Sequence, residues 1–208
     1  MISLNRINRL TQNIIQMGEI ALKLGKVKRA TKHPDLNPES DTTHTCMLSW
    51  IATYLADQEF YSQLNIEQVA LLSLAHDAIE AFCGDTPTLG ISDNELATKK
   101  LKEINALEKL QSKSHYLYGL AKIYELQNTP EARFVKAVDK LMPKITHYLN
   151  SGHVLIYDYK MSEMEFIELM NRQRETVNGF KEFDLLFDIH KYLTNLIVDK
   201  CYKNLKGT

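Results

Sequence analysis

Helix-breaking residues are scarce in this chain: 8 glycines and 5 prolines among 208 residues. Such scarcity favours helices and argues against a turn-rich β fold. No apolar run approaches the ~20 residues of a membrane span, so no membrane association is expected. The first residues, MISLNRINRL, place Arg6 and Arg9 among their apolar positions and lack a signal-peptide core. An excess of charge is missing too. Lys and Arg number 25 against 26 Asp and Glu, a net of -1, which argues against a strongly basic nucleic-acid binder and predicts no stable nucleic-acid partner. The three cysteines, Cys46, Cys83 and Cys201, are odd in number and lack metal-ligand spacing. They predict a reducing, cytoplasmic setting. The length suits one domain with a full core, here taken as residues 1–208.

What is present is helical periodicity. Leu4, Ile7, Leu10, Ile14, Met17, Ala21 and Leu24 recur at steps of three and four, the pattern of an amphipathic helix ending near Gly25. The segment KVKRATKHPDLNPESDTTH is polar, holds Pro34 and Pro38, and reads as an ordered loop. A second helix is predicted from about Asp41, with Met47, Leu48, Ile51 and Leu55 inward and the single tryptophan, Trp50, in the core. A third runs from Ile66 to about Phe82, with Gly84 and Pro87 opening a turn. Ser92 with Glu95 forms a capping-box pattern for a fourth helix to about Leu126, broken near Ser112. Thr129-Pro130 starts a fifth, which Pro143 should kink. Ser162 with Glu165 repeats the capping box, and a last helix spans about Phe183 to Tyr202. The one β-like run is HVLIYDY. The fold class is all-α.

Ionisable residues interrupt these helices where apolar ones belong. His44 opens the second, His76 and Asp77 fall in the third, and Asp139 sits in FVKAVDKL on the fifth. Any one of them is more often a cap, a satisfied surface group or a solvated side chain. As an ordered set on separate helices, they can converge on one point, as carboxylate-bridged bundles do. Two imidazoles and two carboxylates suit a divalent transition metal better than calcium, which prefers oxygen alone.

The order H…HD…D resembles the HD-domain phosphohydrolase superfamily. Within it, HDAIEAFCGDTP is similar to the HD-x-x-E-x-x-x-GD-x-P segment of bacterial 5'-deoxynucleotidases, PESDTTH to their P-E-S-x-x-x-H run, and VKAVDKL to their final aspartate. The resembling motifs lie within residues 29–139, and the C-terminal third shows none. The resemblance implies a single helical HD-domain bundle with His44, His76, Asp77 and Asp139 as metal ligands. The ion would be Mn²⁺, Co²⁺, Zn²⁺ or Fe²⁺, with Mg²⁺ also admitted. Glu80 would orient or deprotonate the attacking water, Asp85 would touch the sugar or leaving oxygen, and Arg29 would contact phosphate. Ala30 departs from the pattern, because the deoxynucleotidases carry a tryptophan there against the sugar.

The expected function is therefore a metal-dependent phosphohydrolase of 2'-deoxynucleotides. The cationic run Lys26, Lys28, Arg29, Lys32 and His33, with Lys136, Lys140 and Lys144 at four-residue steps, favours a triphosphate substrate. Lys28, Lys32, Lys140 and Lys144 join Arg29 as expected substrate-binding residues. The lean is to a dATP-like triphosphohydrolase, a choice of base taken from small phage relatives. A 5'-deoxynucleotidase is the alternative, and a nucleotide-binding module without turnover is the rival from another class. A homodimer or higher homo-oligomer is expected through the C-terminal third, where Met164, Phe166, Phe183, Leu186 and Phe187 cluster. Residues 150–208 would pack on the domain or form that contact.

Overall fold

The computed structural model describes residues 2–86 and 92–203. Pro87, expected to shape the turn after the third helix, lies outside them. Eleven α-helices are described: α1 (Leu4–Leu24), α2 (Asp41–Ala56), α3 (Ile66–Ala75), α4 (Glu80–Cys83), α5 (Asp93–Lys113), α6 (His115–Leu126), α7 (Pro130–Asp139), α8 (Met142–Leu149), α9 (Glu163–Thr176), α10 (Asn178–Glu182) and α11 (Asp184–Ile197). The all-α reading is correct, with one addition. The segment expected as a loop pairs with itself as β1 (Lys28–Lys32) and β2 (Pro38–Ser40), an antiparallel hairpin with Lys32 opposite Pro38.

The capping signals hold. Both serine–glutamate boxes form, at Ser92/Glu95 and Ser162/Glu165, and Thr129 caps α7 with Pro130 in its first turn. The kink expected at Pro143 is a full break, since the chain turns at Lys140–Leu141 before α8 begins. HVLIYDY is not a strand. Val154–Asp158 forms a single π-helical turn, and Val198–Lys203 another at the end of α11.

One apolar cluster joins Leu48, Val69, Leu72, Tyr124, Phe134 and Val138 to Phe180, Phe183 and Leu186. The C-terminal helices thus enter the same core as the motif-bearing ones. Of the five residues expected at a dimer contact, Phe166, Phe183 and Leu186 are buried within the chain and Phe187 packs against its core, leaving only Met164 exposed. Exposed apolar surface lies elsewhere. Trp50 is 72% exposed rather than core. On α1, Ile7, Leu10, Ile14 and Met17 are exposed and only Ile20 and Leu24 are buried. Periodicity identified the helix but not what its apolar face rests on. No helix among the described residues is long and apolar enough to cross a membrane.

His190 on α11 is 1% exposed, its ring 4.7 Å from that of Phe180, and neither nitrogen has a hydrogen-bond partner among the described residues. Burial, aided by Lys144 and Arg174, pushes its pKa down to about 3. The folded value lies below the unfolded 6.5, so the neutral ring's stability is complete above pH 6.5 and is lost as pH falls towards 3. His190→Leu should therefore lose less stability than wild type between pH 7 and pH 4.5, by on the order of 2 kcal/mol in urea titrations. An unchanged difference would place the ring's titration elsewhere.

Candidate metal centre and adjoining pocket

The third predicted helix does not run through to Phe82. It ends at Ala75, and the chain continues with tight bonds to the third preceding residue: Ala78 to Ala75, Glu80 to Asp77, and Phe82 to Ile79. Two consequences follow. The last carbonyls of a helix lack intrahelical partners, and that of Ser73 accepts a hydrogen bond from His76 Nδ1 at 2.8 Å. Tighter winding also puts residues three apart on one face, which sets Glu80 beside Asp77 rather than simply over His76.

His44 lies in the first turns of α2, behind the Ser40 cap that accepts from Thr43 N–H. Its Nε2 is 3.1 Å from Asp139 Oδ1 and 4.0 Å from Asp77 Oδ2. His44, His76 and Asp139 are all buried, and each offers a donor atom within 4.8 Å of the others. Asp77 Oδ2 lies 2.8 Å from His76 Nε2, but without hydrogen-bond geometry, so that buried nitrogen has no hydrogen-bond partner. With Nδ1 donating to the Ser73 carbonyl, Nε2 is the His76 nitrogen turned to the cluster, where it could offer a lone pair to an ion. That orphaned donor, with one further imidazole and two carboxylates, fits a divalent transition metal.

Burial works against ionising Asp139, but Lys140, His44 and His76 outweigh it and hold the carboxyl well below its usual range. Asp77 is likewise held low against burial by His76 and Arg29. Burial alone would lower His44, yet its hydrogen bond to Asp139 and the facing carboxylate of Glu39 raise it to about 9. Glu80 behaves oppositely. Burial, with Asp77 and Asp41 beside it, pushes it up to about 11. Asp85 is raised too, chiefly by burial. Arg29, on β1, bridges Asp41 Oδ1 at 3.0 Å and Asp77 Oδ2 at 2.8 Å. The hairpin thus brings a counter-ion to the carboxylates.

A cavity of about 640 Å³ opens beside this cluster, and Arg29, His76, Asp77, Glu80, Asp85, Asp139, Lys140 and Lys144 all line it. His44 sits behind that wall. Lys28 is exposed at the start of β1 and is not in the lining. Lys32 is also outside it, paired with Asp158 at 2.5 Å. Lys140 Nζ is 2.9 Å from Asp139 Oδ2. Lys144, 1% exposed, donates to Lys140 O and Gln173 Oε1, and burial drives its pKa far down. It is not on a solvated face.

Several residues in and behind the cavity wall escaped the sequence reading. Asp41 looks like an ordinary first-turn acid. Lys99, on α5, reaches the lining and donates to Thr86 O. Tyr159, Met170, Arg172 and Gln173 come from the C-terminal third, where no motif signalled them.

A family model described as an HD domain matches residues 21–182. The chain belongs to the HD-domain family. Among curated proteins, this HD-domain chain is 32% identical over 89 residues to a 5'-deoxynucleotidase of Vibrio parahaemolyticus, covering 40% of this chain and 46% of that one. It is 31% identical over 94 residues to the 5'-deoxynucleotidase YfbR of Salmonella paratyphi B, covering 42% and 45%. The chain spans about half the length of the curated relatives it matches. A solved structure from Magnetospirillum magnetotacticum MS-1, described as a predicted metal-dependent phosphohydrolase, superposes with a TM-score of 0.74 at 24% identity, covering 96% of this chain and 97% of that one. That likeness shows the shared HD-domain fold.

Arg29→Met leaves Asp41 and Asp77 without their shared cation. Urea unfolding in EDTA should show a loss of about 3 kcal/mol, the scale of a broken buried pair. Lys28→Met, one residue away but exposed, should change stability by less than about 0.5 kcal/mol. Equal losses would mean the bridge contributes nothing specific.

Proposed function

We propose that this chain is a metal-dependent phosphohydrolase acting on 2'-deoxynucleoside 5'-monophosphates. The observation that carries the reading is the convergence of His44, His76, Asp77 and Asp139 at the wall of a cavity that Glu80, Asp85 and Arg29 also line. The names of the curated relatives support a 5'-deoxynucleotidase over the triphosphohydrolase favoured by the lysine pattern. The basis of that earlier preference also thins: of Lys26, Lys28, Arg29, Lys32 and His33, only Arg29 lines the cavity. Lys99, Lys136, Lys140 and Arg172 do line the cavity, and a longer phosphate chain would meet them.

In this reading the four side chains hold a divalent ion, which when bound polarises a phosphoryl oxygen and acidifies water. Arg29 compensates charge gathering on the phosphate oxygens, with Lys140 beside it. Glu80 orients the attacking water. With its carboxyl pushed up to about 11 in the metal-free state, Glu80 serves as a base only when positive charge offsets Asp77 and Asp41. Asp85, at the mouth of the turn after α4, faces the sugar side. Ala30 lines the cavity where the deoxynucleotidase pattern has tryptophan, so selection against a 2'-hydroxyl falls to another residue.

The expected product of a dNMP with Mn²⁺ or Co²⁺ is orthophosphate, with chelator abolishing it. Glu80→Ala should keep metal and nucleotide while losing about 10²-fold or more in kcat. Intact triphosphate released from a dNTP would instead support the triphosphohydrolase, and nucleotide binding without any product would support the regulatory module.

We also propose a cytoplasmic homodimer, formed through α1 rather than through the C-terminal third. Ile7, Leu10, Ile14 and Met17 make a heptad-spaced exposed seam. In an antiparallel pair, Arg6 and Arg9 of one copy approach Glu19 of the other. Ile14→Glu should halve the mass measured by light scattering at micromolar concentration, and a monomeric wild type would refute the pairing.

A further inference from the structure

Behind the candidate metal centre lies a carboxylate given no part in the proposed reaction. Glu39, on β2, is 1% exposed. Its Oε2 accepts a hydrogen bond from Thr31 Oγ1, across the hairpin, at 2.5 Å. Its Oε1 faces His44 Nδ1 at 3.6 Å and has no hydrogen-bond partner among the described residues. A buried carboxylate with one oxygen unsatisfied is expensive to keep unless something nearby makes use of it.

The surroundings of Glu39 narrow what that is. The cations acting on it are His44 and Arg29, and His147 senses it in turn. Arg29 has its Nη1 engaged by Asp41 and Asp77, and no ion pair joins it or His147 to Glu39 among the described residues. His44 is the group that Oε1 faces. On its opposite edge, His44 Nε2 donates to Asp139 Oδ1 at 3.1 Å, through a proton that an ion bound at Nε2 would displace, and lies 4.0 Å from Asp77 Oδ2. An imidazole can offer a lone pair at Nε2 only if its proton sits on Nδ1.

We propose that Glu39 is the positioning residue of His44: it takes the Nδ1 proton in a hydrogen bond, fixes the ring, and leaves Nε2 as the donor aimed at the cluster. Thr31 holds the carboxylate in place from the cavity side, which it lines. The hairpin is then the back support of the centre, as the Ser73 carbonyl is for His76. Carboxylate–histidine support of this kind typically changes metal affinity by 10–100-fold. The inference rests on His44 being a ligand, as proposed above.

The test titrates metal-free protein with Co²⁺ and follows visible absorption in wild type, His44→Ala, Glu39→Ala, Glu39→Gln and Thr31→Val. His44→Ala should lose the cobalt band. Glu39→Ala should weaken cobalt binding about 10–100-fold and shift the band, and Glu39→Gln should recover most of the loss, because its carbonyl still accepts from Nδ1. Thr31→Val should weaken binding less than Glu39→Ala does. Wild-type affinity and spectrum in Glu39→Ala, or a glutamine variant no better than alanine, would overturn the inference. Wild-type binding in His44→Ala would overturn the ligand assignment itself and the inference with it, so the two failures are distinct. Should Glu39→Ala not fold, long-range ¹H–¹⁵N NMR of zinc-loaded wild type decides: a proton on His44 Nδ1 supports the inference, and a bare Nδ1 overturns it.

Discussion

Confinement of like charge is the constraint on which this structure turns. Asp41, Asp77, Glu80 and Asp139 crowd around two imidazoles at the wall of the cavity, and Glu39 stands buried just behind. Carboxylates so placed repel one another and lose hydration. The protein answers with Arg29 from the hairpin, Lys140 from the turn after α7, and one carboxyl, Glu80, left neutral. The hairpin's course, the break between α7 and α8, and the early end of α3 all serve that balance. A divalent cation would complete it, because it adds positive charge where the residual repulsion is greatest.

Much of this was legible in the sequence, for identifiable reasons. Helices announced themselves through caps whose chemistry is local, as at Ser92/Glu95 and Thr129-Pro130. The cluster was legible because the ionisable residues, uninformative singly, form an ordered set on separate helices that can converge on one point. Three features were not. The β1–β2 hairpin is short and polar and is held by tertiary ties, namely Arg29 to the carboxylates, Thr31 to Glu39, and Asn150 Nδ2 to Lys32 O. The break at His76 has no glycine or proline to mark it. The run HVLIYDY alternates like a strand, yet forms a π-helical turn whose Val154 and Leu155 are buried. Trp50 and the α1 seam show a fourth limit, since amphipathic spacing says that a face is apolar but not what covers it.

The C-terminal third, silent in motif terms, is structurally bound to the centre. Gln173 Oε1 on α9 accepts from Lys144 Nζ, which also donates to the carbonyl of Lys140, the residue after Asp139. Phe180, Phe183 and Leu186 fill the core against which Phe134 and Val138 of α7 are set. The position of Asp139 therefore depends on helices remote in sequence. Packing partners of this kind follow volume and shape, which tolerate many residue combinations and leave no short pattern to find.

The early end of α3 has a further consequence. Were the α-helix to continue through His76, the Ser73 carbonyl would have to divide its two lone pairs between the amide of Asp77 and the His76 ring. Helical continuity and the orientation of the ring thus draw on one oxygen. Residues 76–79 are a place where raising helix propensity, an ordinary route to a more stable protein, would loosen the imidazole on which the proposed reading depends. An engineer screening this chain for heat resistance would there trade backbone regularity against the hold on one side chain.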